Sequence, residues 1–340
     1  MVWHLNDISH TGDRRKEWKN DNTVMNGDYF MKVEIYSHNY AYELLQNPVY
    51  SPVYEEIVKV CKKCPLPLYE GKSSKQKKLD VVQQIINTYF DLSLEEIGWK
   101  SQSPVTTDED EDKMKADFYK KYPDYGINEN ADVISGRQLK IMVEVEMGNA
   151  ASYYRDLCKF LLSYTKNKAD FFILVVPMRQ LSTRIDSGVI DFDKVKRELK
   201  MLRVNFPIPI LVIGISEDQK NVWNTKELIR GELEHIKKSQ VSREILVKSY
   251  MEHIINSNVS CLVVDDEFKE KSACVKKSRK KLMNSADSLT KKYEKLKKFE
   301  CGSKKYNELM ETINGYKEDI KTEEKNIRDI LGFDLYIKAE

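Results

Sequence analysis

Leu139-Lys140-Ile141-Met142-Val143-Glu144-Val145-Glu146-Met147-Gly148-Asn149-Ala150-Ala151 is the stretch on which the fold turns. Its first eight residues are mostly apolar. Strand side chains alternate between faces, so Glu144 and Glu146, two apart, share one face of a strand that otherwise reads as buried. Two carboxylates held close in an apolar sheet repel each other and lose solvation, so a counter-charge must come from somewhere. A hard divalent cation such as Mg²⁺, which takes oxygen ligands, fits that need. Gly148 then allows close approach of the backbone to a ligand, and a helix follows.

Outward from this strand, helices alternate with apolar runs. Residues 150–166 have helical spacing, with Tyr154, Leu157, Cys158, Leu161 and Leu162 as the expected buried face. Phe171 to Val176 is a fully apolar strand, residues 192–203 a helix, and Ile208 to Ile215 another buried strand. Upstream, Asp132-Val133-Ile134 reads as a short strand, with a turn at Ser135-Gly136-Arg137-Gln138. Lys32 to Tyr36 alternates as a strand. Residues 40–62 are helical with a break forced by Pro48 and Pro52, and residues 77–90 form a helix with Leu79, Val82, Ile85, Ile86 and Phe90 on one side. Residues 103–131, with the acidic run Asp108 to Asp112, read as irregular. Strands apolar on both faces between helices indicate an α/β fold: a mixed β-sheet core flanked by helices.

The 340 residues divide into a polar N-terminal extension (1–29), a core (30–222), a helical connector (223–265) and a basic helical hairpin (266–340) broken near Cys301-Gly302-Ser303. The net charge of +2 conceals the asymmetry of the hairpin. Residues 269–298 carry twelve Lys/Arg against three Asp/Glu. Lys276, Lys277, Arg279 and Lys280 are its densest cationic group and are candidates to follow a nucleic-acid backbone, while Leu282, Leu289, Tyr293, Leu296 and Phe299 form an apolar stripe.

No run of 18 apolar residues suggests a membrane span, and Met1 to Asp21 lacks the apolar segment of a secretory signal. The expected location is cytoplasmic, which leaves the six cysteines as free thiols. Cys61-Lys62-Lys63-Cys64 lacks the further ligands that zinc requires and reads as the end of a helix that stops at Pro65.

The chemistry open to the acidic cluster is phosphodiester hydrolysis. That reaction needs the phosphate charge neutralised, a water activated and the leaving oxygen stabilised. Asp132 and Glu144 are the candidate metal ligands, with the Val145 carbonyl as a third. Glu146 is placed to orient or deprotonate the attacking water, or to hold a second ion.

With these residues in view, the chain resembles the BglII/BstYI group of Type II restriction endonucleases, within the PD-(D/E)XK nuclease superfamily. The similarity runs from Met31 to Ser216. It is carried by Met31-Lys32-Val33-Glu34-Ile35-Tyr36-Ser37-His38, by Gly98-Trp99-Lys100, by Val143 to Asn149 and on to Asp170, by Pro177-Met178 and Leu181-Ser182, by Ser187-Gly188 and by Leu211 to Ile215. The resemblance implies a homodimer that cuts palindromic double-stranded DNA with one or two Mg²⁺ ions per active site, leaving 5′-phosphate ends at a GATC-centred sequence. It also implies a cognate DNA methyltransferase as genetic partner. It carries the catalytic roles to Asp132, Glu144 and Glu146. The third motif position, lysine in most of the superfamily and glutamine in this group, is a glutamate here, as in the BamHI-type enzymes. The interval from Asp132 to Glu144 is longer than the group's usual spacing. Base reading falls by position on Asn149 and Ser187. Asn149 has a second reading as a helix N-cap, and Ser187 one as part of a turn. Two alternatives stand beside this one: a modification-dependent or repair nuclease of the same fold, and a catalytically inactive DNA-binding or interaction protein.

Overall fold

The computed structural model describes residues 31–105, 114–122, 138–202, 206–217, 222–229, 232–256 and 264–331. Its centre is a six-stranded mixed sheet in the order β1-β7-β6-β5-β4-β3. The strands are β1 (Lys32–His38), β3 (Lys100–Pro104), β4 (Lys115–Tyr122), β5 (Leu139–Val145), β6 (Phe171–Pro177) and β7 (Ile210–Ser216). β5, β6 and β7 are parallel, whereas β1, β4 and β3 run antiparallel to their neighbours. Every residue of β6 and β7 is buried, which explains why these strands read as unbroken apolar runs. A small parallel pair, β2 (Leu66–Leu68) with β8 (Val222–Asn224), lies apart.

Two cores cover the two faces. Ile141, Val143, Ile173, Val175, Leu211 and Ile213 point into one, which contains α2 (Ser51–Lys63), α3 (Gln83–Glu96) and α5 (Arg179–Ile185). Met142, Phe172, Leu174 and Val212 point into the other, under α4 (Ala150–Thr165) and α6 (Phe192–Leu202). Glu144 is in register with Leu174 and so faces α4. Cys61 and Cys64, at the end of α2, are fully buried and in no disulfide, and burial pushes both thiols up.

The remaining helices are α1 (Ala41–Leu45), α7 (Thr225–Ile229), α8 (Leu233–Lys238), α9 (Gln240–Asn256), α10 (Asp266–Leu296) and α11 (Lys304–Leu331). α10 and α11 pack along each other as a hairpin, while α9 lies between α10 and α3. Among the described residues no helix is long and apolar enough to cross a membrane.

Three local expectations are corrected. Residues 115–122, expected to be irregular, form β4: its charged residues hide the pattern, yet the strand is paired on both edges, and Lys120 lies against Glu56 at 2.9 Å and over the Trp99 ring. The helix expected over 77–90 begins at Gln83, because Val81 bridges to Leu68 and Val82 donates to the Pro67 carbonyl. On α4 the buried face is Tyr153, Asp156, Leu157, Lys159, Phe160 and Ser163, whereas Tyr154, Cys158 and Leu161 are exposed. Spacing of apolar residues alone places a helix's outer face toward water, but here two charged residues point inward, for a reason found at the site. Asp132 and the strand and turn expected over 132–138 lie outside the described residues, apart from Gln138.

Candidate active site

The C-terminal end of β5 carries the acidic centre. Glu144 is 1% exposed, and burial, followed by the nearby Asp117 and Asp156, pushes its carboxyl up to about 9 while Lys159 pulls it back. Asp117 on β4 stands beside it: its Oδ2 accepts the Val145 backbone N–H at 3.0 Å. Burial raises Asp117, whereas the Val145 N–H and Lys159 lower it. Glu144 Oε1 is buried with no donor, although the Asp117 carboxyl is within hydrogen-bonding reach of Glu144. Two acceptors so placed can meet only across a shared proton or a cation.

Glu146, just past the strand, is 8% exposed and receives the Gly148 N–H at 2.5 Å. Burial pushes its carboxyl up to about 7. The Gly148 N–H opposes this and Asp156 adds to it. A Cβ on Gly148 would lie 2.6 Å from Glu146 Oε1, so any larger residue here must push that carboxylate out of its present position. From α4, Lys159 places Nζ 2.7 Å from Glu144 Oε2 and 2.9 Å from Asp156 Oδ1. Burial by itself lowers the Lys159 ammonium, but Glu144 and Asp156 together leave it raised and charged. Asp91 on α3 is close enough for Asp117 to act on its charge: burial first, then Asp117, Glu95 and Glu244, raises its carboxyl, and its exposed edge lets water screen part of that effect.

The structure thus brings Glu144, Val145 and Glu146 together with three residues that sequence reading missed, Asp117, Asp156 and Lys159. Asp156 and Lys159 betray themselves only as charges 7 and 10 residues after the Asn149 cap. Asp117 sits between Ala116 and Phe118, which are both buried, a faint alternation inside a charged segment.

The two expected base-reading segments meet each other. Ala150 N–H donates to the Gly188 carbonyl, Ile190 N–H donates to the Gly148 carbonyl, and Asn149 bridges to Val189. Asn149 is exposed and caps α4, its Oδ1 accepting the Ala151 and Ser152 N–H groups at 2.9 and 3.2 Å. Ser187 is exposed beside Gly188, whose φ of +79° suits a residue without a Cβ. Next to this turn a cavity of about 470 Å³ is lined by Arg179, Asp191, Asp193, Lys196, Arg197 and Lys200. On α10, Lys276, Lys277 and Lys280 are exposed, whereas Arg279 is tied to the buried Glu244 of α9.

Residues 33–215 match the family model of restriction endonucleases BglII/BglIII. This chain belongs to that family. Membership makes it a Type II restriction endonuclease, a site-specific enzyme that cleaves DNA. Two crystal structures of BglII itself are similar to it. The complex with a DNA 16-mer is 21% identical, with a TM-score of 0.44, over 55% of this chain and 78% of that one. The free BglII structure is 19% identical, with a TM-score of 0.37, over 55% and 81%. No curated protein matches the chain. Residues beyond the match include all of α7 to α11.

Proposed function

We propose that this BglII-family endonuclease hydrolyses double-stranded palindromic DNA at a GATC-centred sequence, with Mg²⁺ held by Asp117, Glu144 and the Val145 carbonyl, and leaves 5′-phosphate ends. The observation that carries this reading is the buried, donorless Oε1 of Glu144 beside Asp117. Oxygen donors and unbalanced negative charge suit a hard divalent ion. Asp132, expected as a ligand, lies outside the described residues, and the described aspartate on the neighbouring strand is Asp117.

When bound, the ion neutralises charge on the scissile phosphate and makes water more acidic. The chain's own groups do the rest. Glu146, with a carboxyl near neutrality, accepts the proton of the attacking water. Gly148 N–H holds that carboxylate in place by its bond to Oε1. Lys159, itself paired with Asp156, fixes Glu144 from the α4 side.

Base recognition falls to the paired turns at 148–150 and 187–190. Bidentate pairing of Asn149 with adenine needs Oδ1 released from the helix cap, whereas donation from its amide nitrogen does not. Ser187 offers a hydroxyl beside it. Arg179, Lys196, Arg197 and Lys200 supply phosphate contacts flanking these turns, and the exposed Lys276, Lys277 and Lys280 supply further ones on α10.

A homodimer follows from the two-fold symmetry of a palindrome. Its interface is assigned to the outward face of α4 and α6, where Tyr154, Leu161, Tyr164, Met201 and Leu202 are exposed. The same stripe on α4 reads as buried from sequence, and a partner copy would bury it. A cognate DNA methyltransferase would protect the host genome.

The deciding experiment is digestion of unmethylated plasmid DNA with purified protein and Mg²⁺, followed by sequencing of the fragment ends. Ends at one GATC-centred site support the proposal. Cleavage only of methylated DNA favours a modification-dependent enzyme, and no cleavage under any divalent ion overturns the nuclease mechanism.

A further inference from the structure

The acidic centre contains one cation of its own. Asp117, Glu144, Glu146 and Asp156 crowd together, and among the described residues no three carboxylates, imidazoles or thiols close round a common point as a metal cage would. The position between Glu144 and Asp156 is instead filled by Lys159 Nζ, at 2.7 and 2.9 Å. The three side chains are 8%, 1% and 4% exposed for Lys159, Glu144 and Asp156, so water screens little of their interaction. A buried ammonium is costly unless its charge is matched, and α4 turns a lysine inward at the expense of the apolar Leu161.

We infer that Lys159 is a positioning residue that acts as a built-in counter-ion: it holds the carboxylates together before a divalent cation arrives and opposes that cation once it binds. This rests on the divalent-ion reading given above. Two positive charges serving the same carboxylate at short range repel one another, so the ammonium lowers the affinity of the centre while keeping it assembled. The result is a site formed in advance of its ion, with Glu144 Oε2 engaged by lysine and Oε1 left open.

The test uses the full chain, without DNA, and Ca²⁺ as the probe ion at pH 8.5. Lys159→Met removes the charge and keeps the stem. Calorimetric titration is expected to give a Kd for Ca²⁺ about tenfold tighter than wild type, while Lys159→Arg stays near wild type. Thermal melting supplies a second readout: Lys159→Met melts several degrees lower in chelator and recovers most of the loss in excess Ca²⁺. A lysine that only packs the helix would give equal losses with and without the ion. That result, or Ca²⁺ binding no tighter in the variant, overturns the inference. If Lys159→Met does not fold, Lys159→Gln, which can still hydrogen-bond both carboxylates, carries the same expectation. Absence of Ca²⁺ binding in wild type and variants alike removes the divalent-ion reading together with this one.

Discussion

Asp117 Oδ2 accepts the backbone N–H of Val145 at 3.0 Å, a bond just past the β4–β5 ladder, whose register places Asp117 next to Glu144. An asparagine at 117 keeps an acceptor for Val145 but loses the charge. Asp117→Asn is expected to melt within a few degrees of wild type and to lose cleavage by at least about a hundredfold. Single-turnover cleavage and thermal melting measure both. Wild-type cleavage would remove Asp117 from the site.

An added Cβ at Gly148 meets Glu146 Oε1 at 2.6 Å, where that carboxylate now sits. Gly148→Ala must therefore displace that carboxylate. Cleavage is expected to drop by about tenfold to a hundredfold, with DNA affinity in Ca²⁺ little changed, as judged by fluorescence anisotropy. Equal losses in both would point to a distorted turn at 148–150 instead.

The raised carboxyls of Glu144 and Glu146, at about 9 and about 7, fix the sign of the pH dependence. The folded state binds these protons more tightly than the unfolded chain, whose glutamates titrate near 4.5. Stability from this pair is full below about 4.5 and is lost as the pH rises through 7 to 9. Metal-free protein should thus melt lower at pH 9 than at pH 6 as far as this pair governs it, and Glu144→Gln should flatten the slope. Ca²⁺ affinity should rise over the same interval, since the ion takes the ionised carboxylates. Calorimetry at the two pH values would expose the opposite trend.

On α10 the cationic group divides. Arg279 pairs with Glu244, a carboxylate only 6% exposed. Arg279→Ala strands that charge and is expected to cost about 2 kcal/mol in denaturant unfolding. Lys276→Ala with Lys277→Ala and Lys280→Ala should leave stability within about 0.5 kcal/mol. If these lysines meet phosphates, the triple variant lowers the salt slope of DNA binding by about 0.9 per lost contact. An unchanged slope assigns them to solvent.

The exposed stripe of α4 is the last target. Leu161→Glu places a charge in the proposed interface and is expected to turn a dimer into a monomer by light scattering, with loss of double-strand cleavage. A monomer in the wild-type protein would move the interface elsewhere or abolish it.

How much could be read in advance depends on distance along the chain. β5, β6 and β7 announce themselves because strands buried on both faces must be apolar throughout, and Glu144 and Glu146 stand out against that background. α4 was legible as a helix but not in its orientation. Its inward face includes Asp156 and Lys159, and hydrophobic periodicity turns charged residues outward. β4 was hidden because a strand rich in lysine gains its stability from pairing on both edges and from Glu56, a partner far away in sequence.

The sequence by itself determined an α/β sheet with helices on both faces, the glutamate pair and the family, since these depend on neighbours within a few residues or on an order preserved along the chain. Only the tertiary structure decided that Asp117 stands beside Glu144, that a lysine lies among the carboxylates, and that Arg279 belongs to Glu244. Such pairings join residues from separate elements, and their energy comes from shared burial and charge, which no local pattern records.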